Sequence, residues 1–256
     1  MKKTILIICL ILLMIGQFPC AVLGEDTPAA EQVITFTEEG IETTAEGVLV
    51  SGSKVTISGS GEYILRGRSD NAQIVVLTGG KDMITLTLDN AALKCEDGPV
   101  ILAESKRVTL NLKADTENLL ADSESRTMPT DDTPKACIYG SNHLTIAGTG
   151  RLNVKARIGR GIQCKDVLTI IDGTITVTST KDALRGNDGI TMLGGNVTLN
   201  SQKNGLQTEN NKEGKGNILL EGGTLHITSG KGAFNAIGSI QISGCSVTII
   251  ENTNEE

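Results

Sequence analysis

The chain has 256 residues, a formal net charge of −7 at pH 7 and thirty glycines, but no Trp, two Tyr and three Phe. An acidic chain is a poor general binder of nucleic acid, because that function needs a dense cationic face. So few aromatic residues exclude a flat Trp/Tyr platform for stacking on sugar rings, and they predict an aliphatic core.

The first 24 residues have the organisation of a secretory signal peptide. Two lysines follow Met1, the stretch from Ile5 to Ile15 is apolar, and small residues precede the end of the segment at Gly24. The apolar stretch is short for a membrane span. We therefore predict a signal peptide at 1–24, a linker at 25–32, and a secreted or cell-surface protein with no stable membrane insertion after cleavage. A retained anchor is the alternative interpretation.

The following region, 33–252, is predicted to be one repetitive all-β domain. Its C-terminal half repeats a unit of three short apolar strands separated by glycine or polar turns. Equivalent apolar residues in successive units are Ile138, Ile162, Leu184, Leu206 and Phe234. Two of the steps between them are 22 residues long, and the longest is 28 because it contains an insertion of six within 211–217. A constant period with an insertion at one turn is typical of stacked coils.

Alternation within the strands predicts which residues face the core. In Leu168-Thr169-Ile170 and its equivalents, the first and third residues are apolar and the middle one is usually polar. Three such strands per coil would form three parallel sheets around an aliphatic core, with coils about 4.8 Å apart. We therefore predict a single-stranded right-handed parallel β-helix with three short strands per coil. A β-sandwich is the alternative, but sandwiches do not repeat one pattern of this length.

Two polar segments lie outside this pattern. Residues 121–135, with their Asp, Ser, Thr and Pro residues, are predicted to form a long loop between coils. Residues 253–256 are predicted to be a polar tail.

Equivalent turn positions in successive coils form a column of Asn142, Asp166, Asp188 and Asn210. Asn and Asp stabilise turns, and stacked amides form hydrogen-bonded ladders, so one interpretation is purely structural. The other is a calcium site, because two carboxylates on neighbouring coils with amide oxygens beside them supply hard oxygen ligands.

A second column consists of cations, with three lysines at equivalent positions and further cations nearby: Lys181, Lys203, Lys231, Arg160, Lys165 and Arg185. These charges repel one another and would make one edge of an otherwise acidic solenoid cationic. We predict that this edge binds an anionic ligand such as a uronate polymer. The alternative is a solvated lysine edge that only blocks edge-to-edge association.

Signals for catalysis are weak. No GxSxG, HExxH or phosphate-binding glycine loop occurs, and neither His143 nor His226 has a visible nucleophile partner. The cysteines that follow the signal peptide show no CxxC spacing, which argues against a zinc site. No catalytic residue is therefore predicted.

The repeats resemble a family of secreted bacterial carbohydrate-binding domain proteins with a polysaccharide-lyase-like right-handed β-helix. The family signature, Gly-Asp-Gly-Ile-Lys-Ser-Lys-Asp followed by a Leu-Thr-Ile strand, a Gly-Gly turn and an Ile-Thr-Val strand, survives at 159–166, 181–188 and 203–210. The resemblance covers residues 33 to 250. It implies binding of plant cell-wall or acidic polysaccharide, with calcium ions on the exterior of the helix. The first aspartate of the signature is kept here only as Asp182.

These observations predict an exported, non-catalytic carbohydrate-binding protein whose partner is a polysaccharide, uronate-containing, and not nucleic acid. The predicted ligand-binding residues are the three lysines of the second column and three cations near it, Arg160, Lys165 and Arg185. The predicted calcium ligands are Asp166, Asp188, Asp182 and Asn210. Two alternatives stay open. One is a calcium-dependent pectate lyase in which Lys203 or Lys181 abstracts the proton next to a uronate carboxyl group. The other is a structural or adhesive surface solenoid without a sugar ligand.

Overall fold

The computed structural model divides the chain into two units, Met1–Ala30 and Glu31–Glu256, and describes residues 31–79, 83–123, 130 and 132–251. The predicted signal peptide, most of the predicted linker, the polar tail and part of the predicted loop at 121–135 lie outside the described residues. The described part contains no helix of the length and apolarity needed to cross a membrane.

The described residues form strands joined by turns, without a helix. The first strands in chain order are β1 Val33–Phe36, β2 Ile41–Thr43, β3 Val48–Ser51, β4 Lys54–Ile57, β5 Gly61–Ser69, β6 Gln73–Val76, β7 Met83–Cys95, β8 Ile101–Ala103, β9 Arg107–Leu112, β10 Glu117–Asp122, β11 Ala136–Gly140 and β12 His143–Gly148. They are followed by β13 Arg151–Ala156, β14 Arg160–Cys164, β15 Val167–Ile170, β16 Thr174–Ser179, β17 Leu184–Gly186, β18 Gly189–Met192, β19 Asn196–Ser201, β20 Asn204–Gln207, β21 Asn217–Leu220, β22 Thr224–Ser229, β23 Gly232–Asn235, β24 Ile240–Ile242 and β25 Ser246–Glu251.

From β8 onward the strands follow a fixed order around three parallel sheets. The first sheet contains β9, β12, β15, β18, β21 and β24; the second contains β10, β13, β16, β19, β22 and β25; the third contains β8, β11, β14, β17, β20 and β23. Strand β7 joins the first two sheets, because its first half pairs with β9 and its second half with β10. It bends at Asn90, which has a φ of 55°. The predicted right-handed parallel β-helix is therefore confirmed.

The register of the third sheet confirms which residues are equivalent. Ile162 lies opposite Leu184, Leu184 opposite Leu206, and Leu206 opposite Phe234. The first three are at most 1% exposed, and they belong to one aliphatic core that runs the length of the solenoid. Burying an aliphatic side chain of this size contributes roughly 1.5–3 kcal/mol. The insertion within 211–217 lies between β20 and β21, where it leaves the register intact.

The N-terminal coils depart from the repeat. Strands β1 and β2, and also β3 and β4, pair antiparallel, although β1 and β4 each pair parallel with a strand of the next coil. The β3–β4 hairpin turns at Gly52, whose φ of 59° suits a tight hairpin. Val55 and Ile57 of β4 still face the core, but the antiparallel partner of β4 is not one that the repeat predicts.

The coil that contains Gly161 enters the third sheet through a close backbone approach. A Cβ atom on Gly161 would lie 2.2 Å from Cγ1 of Val177 and 2.6 Å from the carbonyl oxygen of Ala183. The missing side chain lets the Gly161 amide donate to the carbonyl of Asp182 on the next coil at 3.2 Å. This approach fixes the corner that carries the predicted cations.

Candidate functional site

The three lysines of the predicted column lie on successive coils, and the amide of Lys231 donates to the carbonyl of Lys203 at 3.1 Å. Lys181 is half-buried, whereas the other two are exposed. Burial lowers the pKa of Lys181, and the positive charges of Arg160, Lys135 and Lys203 lower it further. This lysine column is therefore a concentration of positive charge on an acidic protein.

Arg160 belongs to a hydrogen-bonded cluster beside the lysine column. Its Nε donates to Oδ2 of Asp182 at 3.1 Å, and Oδ1 of Asp182 accepts from Nδ2 of Asn204 at 2.9 Å. Oε1 of Gln207 accepts from Asn204 at 3.0 Å and from Asn235 at 2.7 Å. Asp182 is only 5% exposed. Because these groups satisfy one another, the Arg160 cluster is a rigid support for the column.

The remaining two predicted cations differ in position. Arg185 is close to the Arg160 cluster, since burial and the charge of Arg160 lower its pKa. It forms an ion pair with Glu209, and its Nε is buried without a hydrogen-bond partner in the part of the chain that the structure describes. Lys165, by contrast, follows the opposite end of β14, next to Asp166. The structure therefore groups Arg160 and Arg185 with the lysine column and places Lys165 apart from them.

The column of Asp and Asn residues lies at that opposite end of the third-sheet strands. Nε2 of His143 is 3.5 Å from Oδ2 of Asp166. Asp188 accepts through Oδ1 from the amide of Asn210 and through Oδ2 from the ammonium group of Lys215, which belongs to the insertion. Burial raises the pKa of Asp188, but the hydrogen bonds from Lys215 and Asn210 outweigh it and leave the pKa below its usual value. The carboxylates of this turn column thus already have protein partners.

This arrangement bears on the predicted calcium site. One oxygen of Asp188 faces an ammonium group, and Asp166 faces an imidazole. Asp182 lies in the Arg160 cluster, at the other end of the strands, so the four predicted ligands do not form one group. Across the described ranges, no three or more His, Cys, Asp or Glu side chains are grouped to hold a metal ion. As arranged, these residues do not fit a calcium ion.

A groove follows the corner where the second-sheet strands turn towards the third sheet. This corner groove has a volume of about 630 Å³ and crosses β13, β16, β19 and β22. It is lined by Lys155, Ala156, Arg157, Thr178, Ser179, Thr180, Asn200, Ser201, Gln202 and Thr228. Lys181 and Lys203 directly follow the groove residues Thr180 and Gln202, and Lys231 comes three residues after Thr228. The groove therefore borders the column on its second-sheet side, and the Arg160 cluster borders it on the third-sheet side.

The sequence pattern does not predict the corner groove. Thr178, Asn200 and Thr228 occupy the last outward position of their strands, where a polar residue is expected in any half-buried strand. The sequence does contain one related signal: the alternation of polar and apolar residues continues beyond the three-residue strand pattern, as in Thr176-Val177-Thr178. That signal predicts longer strands in the second sheet, but not a concave surface.

The chain matches known proteins over most of its length. Residues 51–256 match the family described as carbohydrate-binding domain-containing protein. A protein of the same description from Acetivibrio thermocellus is 34% identical over 193 residues, which cover 74% of this chain and 68% of the relative. A polysaccharide lyase-like protein from C. thermocellum, solved as a gadolinium derivative, has a TM-score of 0.83 at 30% identity, with 87% of this chain and 92% of that chain covered. The chain therefore belongs to the carbohydrate-binding domain family.

Proposed function

We propose that the protein is exported and binds acidic plant cell-wall polysaccharide without cleaving it. Membership of the carbohydrate-binding domain family supports a sugar ligand. The uronate class is supported by one observation: Lys181 is half-buried among the positive charges of Arg160, Lys135 and Lys203, and its pKa is lowered by burial first and by these charges in addition. A polymer that carries carboxylates along its length reduces this repulsion wherever it contacts the column.

The stacking of coils gives the polymer a direction. Successive coils are about 4.8 Å apart, so Lys181, Lys203 and Lys231 form a row parallel to the solenoid axis. A polyanion lying along this axis meets one lysine per coil. Exposed lysines hold carboxylates as ion pairs, which salt weakens, so binding by the column decreases as ionic strength increases.

Affinity electrophoresis in gels containing polygalacturonate tests the proposal. The double variant Lys181→Gln/Lys203→Gln is expected to bind roughly fivefold to twentyfold more weakly, the loss of two partly exposed ion pairs. A matched control, Lys54→Gln/Lys106→Gln, removes two exposed lysines that lie far along the chain from the column. Equal retardation of the two double variants would contradict a role for the column. Absence of retardation by any polysaccharide would favour the adhesive solenoid.

The pectate lyase alternative is favoured by the same lysine, because a lowered pKa suits a general base. Its test is the ultraviolet absorbance of unsaturated product after long incubation with polygalacturonate and calcium. Product formation that is lost in Lys181→Gln would replace the binding-only proposal. Calcium assistance itself stays a prediction, and it requires Lys215 to leave Asp188.

A further inference from the structure

The corner groove carries polar side chains that the described part of the protein does not engage. The side chains of Thr178, Asn200, Gln202 and Thr228 have no partner among the residues that the structure describes. On the other side of the lysine column, the amide of Asn204 donates to two acceptors. The groups of the groove are therefore open to water and to a ligand, whereas the Asp182 carboxylate and the Asn204 amide of the Arg160 cluster are bonded to one another and to their neighbours.

The floor of the groove has a different character from its walls. Ala156 is small and buried. Ser179 and Ser201 are also buried, and their hydroxyls donate to the carbonyls of Lys181 and Lys203 at 2.9 and 3.4 Å. The floor thus offers carbon atoms, while hydroxyl and amide groups stand on the walls. A sugar ring has the matching form, with C–H faces and a rim of hydroxyl groups, and pockets for such ligands combine an apolar lining with a few placed polar groups.

The charge of the groove separates its ligand from that of the lysine column. No carboxylate is among the lining residues, and the lining cations are Lys155 and Arg157, both on or directly after β13 at one end. The stretch along β16, β19 and β22 is lined by uncharged side chains. Uncharged sugar units fit this stretch better than uronates, because the bordering lysines are not among the residues that line it and a carboxylate buried there would have no cation in its immediate lining.

The repeat of the groove also sets the orientation of a ligand. Equivalent wall residues, such as Thr178 and Asn200, lie opposite each other on adjacent strands. Four strands cross the groove, so the wall extends for three strand spacings, about 14 Å. Regularly spaced donors along a line favour a polymer over a single sugar.

We infer that the corner groove is a second glycan-binding surface, which takes an uncharged, hydroxyl-rich segment of polysaccharide lying parallel to the solenoid axis. The inference rests on the proposed function only in that the ligand is a polysaccharide. It assigns hydroxyl recognition to the groove and carboxylate recognition to the lysine column. Because the floor lacks aromatic rings, each sugar unit is held weakly and affinity grows with the number of units bound.

The test uses affinity electrophoresis of the protein against neutral polysaccharides (xyloglucan, galactomannan and hydroxyethyl cellulose) and polygalacturonate. Thr178→Val/Thr228→Val removes two hydroxyls while keeping shape and strand preference. Asn200→Ala/Gln202→Ala removes two amides. Each is expected to weaken binding to the retarding neutral polysaccharide roughly fivefold to twentyfold, as for two lost hydrogen bonds, while polygalacturonate binding changes less than about twofold.

Thr169→Val/Thr191→Val provides the matched control, because these threonines face outward in register on the first sheet. Circular dichroism establishes that each variant is folded. Wild-type protein that is retarded by no neutral polysaccharide, or groove variants that behave like the control, would overturn the inference. Failure of the lysine-column proposal looks different: polygalacturonate does not retard the protein, while the neutral polysaccharide still distinguishes groove variants from control.

Discussion

The two ends of the third-sheet strands carry columns of opposite charge, and the protein balances them differently. At the entry end, Lys181 lies among other cations, and its pKa is lowered. At the exit end, the carboxylate of Asp188 is met by Lys215 and Asn210, and its pKa is also lowered. A lowered pKa means that the lysine is destabilised in its charged form and the aspartate is stabilised in its charged form.

The lysine column needs an anionic partner to balance its charge, whereas the charge of the turn column is already balanced by groups of the protein itself. Burial of Lys181 and repulsion from Arg160, Lys135 and Lys203 are free-energy costs that Asp182 offsets only in part, and an anionic ligand would reduce the repulsion. The turn column offers no comparable gain, because the insertion already supplies the counter-charge. Charge that remains unbalanced in the folded state is therefore the better guide to a binding surface.

The largest expected effect comes from disturbing the support beneath the lysine column. Asp182 and Arg160 have side chains that are 7% and 21% exposed, so Asp182→Ala leaves a mostly buried guanidinium group without its carboxylate. We expect the free energy of unfolding to fall by about 3 kcal/mol. The measurement is a urea titration followed by circular dichroism.

Asp166→Ala is the matched control, because the Asp166 side chain is 34% exposed and faces His143 at 3.5 Å. Its loss is expected to be below about 1 kcal/mol. Equal losses at the two aspartates would show that the Arg160 cluster does not support the corner, and the comparison between the two columns would lose its structural basis.

The interior of the molecule could be predicted from the sequence because it depends on two periods. Period-two alternation decides the facing of each residue, and the 22-residue step brings Ile162, Leu184 and Leu206 into one stack. The same step aligns the residues of the lysine column and of the turn column on successive coils, since equivalent positions must stack. Cys164 also lies at an inward position of this alternation. Its thiol is buried, and burial together with the charge of Asp166 raises its pKa to about 12.

The partners of the outward side chains could not be predicted in this way. Lys215 belongs to an insertion without a counterpart in neighbouring coils, so no period aligns it with Asp188. The corner groove arises from the path of the backbone between two sheets. That path cannot be predicted from knowing which residues are polar. The antiparallel hairpin of β3 and β4 also lies outside the repeat, because it forms where the regular stacking of coils begins.

An intermediate effect is expected from removing the counter-charge of the turn column. Lys215→Met leaves Asp188 with Asn210 as its partner, and we expect the melting temperature to fall by about 2 °C. The variant also removes the ammonium group that faces the carboxylates of Asp188 and Asp166, so added calcium is expected to restore the melting temperature. Differential scanning calorimetry with calcium and with EDTA measures both changes.

The control here is Lys212→Met, which removes an exposed lysine from the same insertion. Neither wild type nor this control should respond to calcium. If the wild-type protein melts at a lower temperature in EDTA than in calcium, calcium displaces Lys215 from Asp188. That result would support the calcium site predicted from the sequence.

The smallest expected effect is a difference in pH dependence between the two columns. Asp188 has a lowered pKa in the folded state, so its contribution to stability is present above the usual carboxylate pKa and is lost as the pH falls through the lowered value. Lys181 also has a lowered pKa in the folded state. At pH values between this lowered pKa and the usual lysine pKa, the unfolded chain therefore binds more protons than the folded protein. Stability from this group therefore rises as the pH increases through that range.

Melting temperatures measured across pH for wild type, Asp188→Asn and Lys181→Gln separate the two contributions. Asp188→Asn is expected to flatten the acid side of the profile and leave the alkaline side unchanged, and Lys181→Gln is expected to do the reverse. Bound polygalacturonate should act like Lys181→Gln, because its carboxylates neutralise the column and return the lysine pKa towards its usual value. A ligand that flattened the acid side instead would place the anion-binding surface at the turn column.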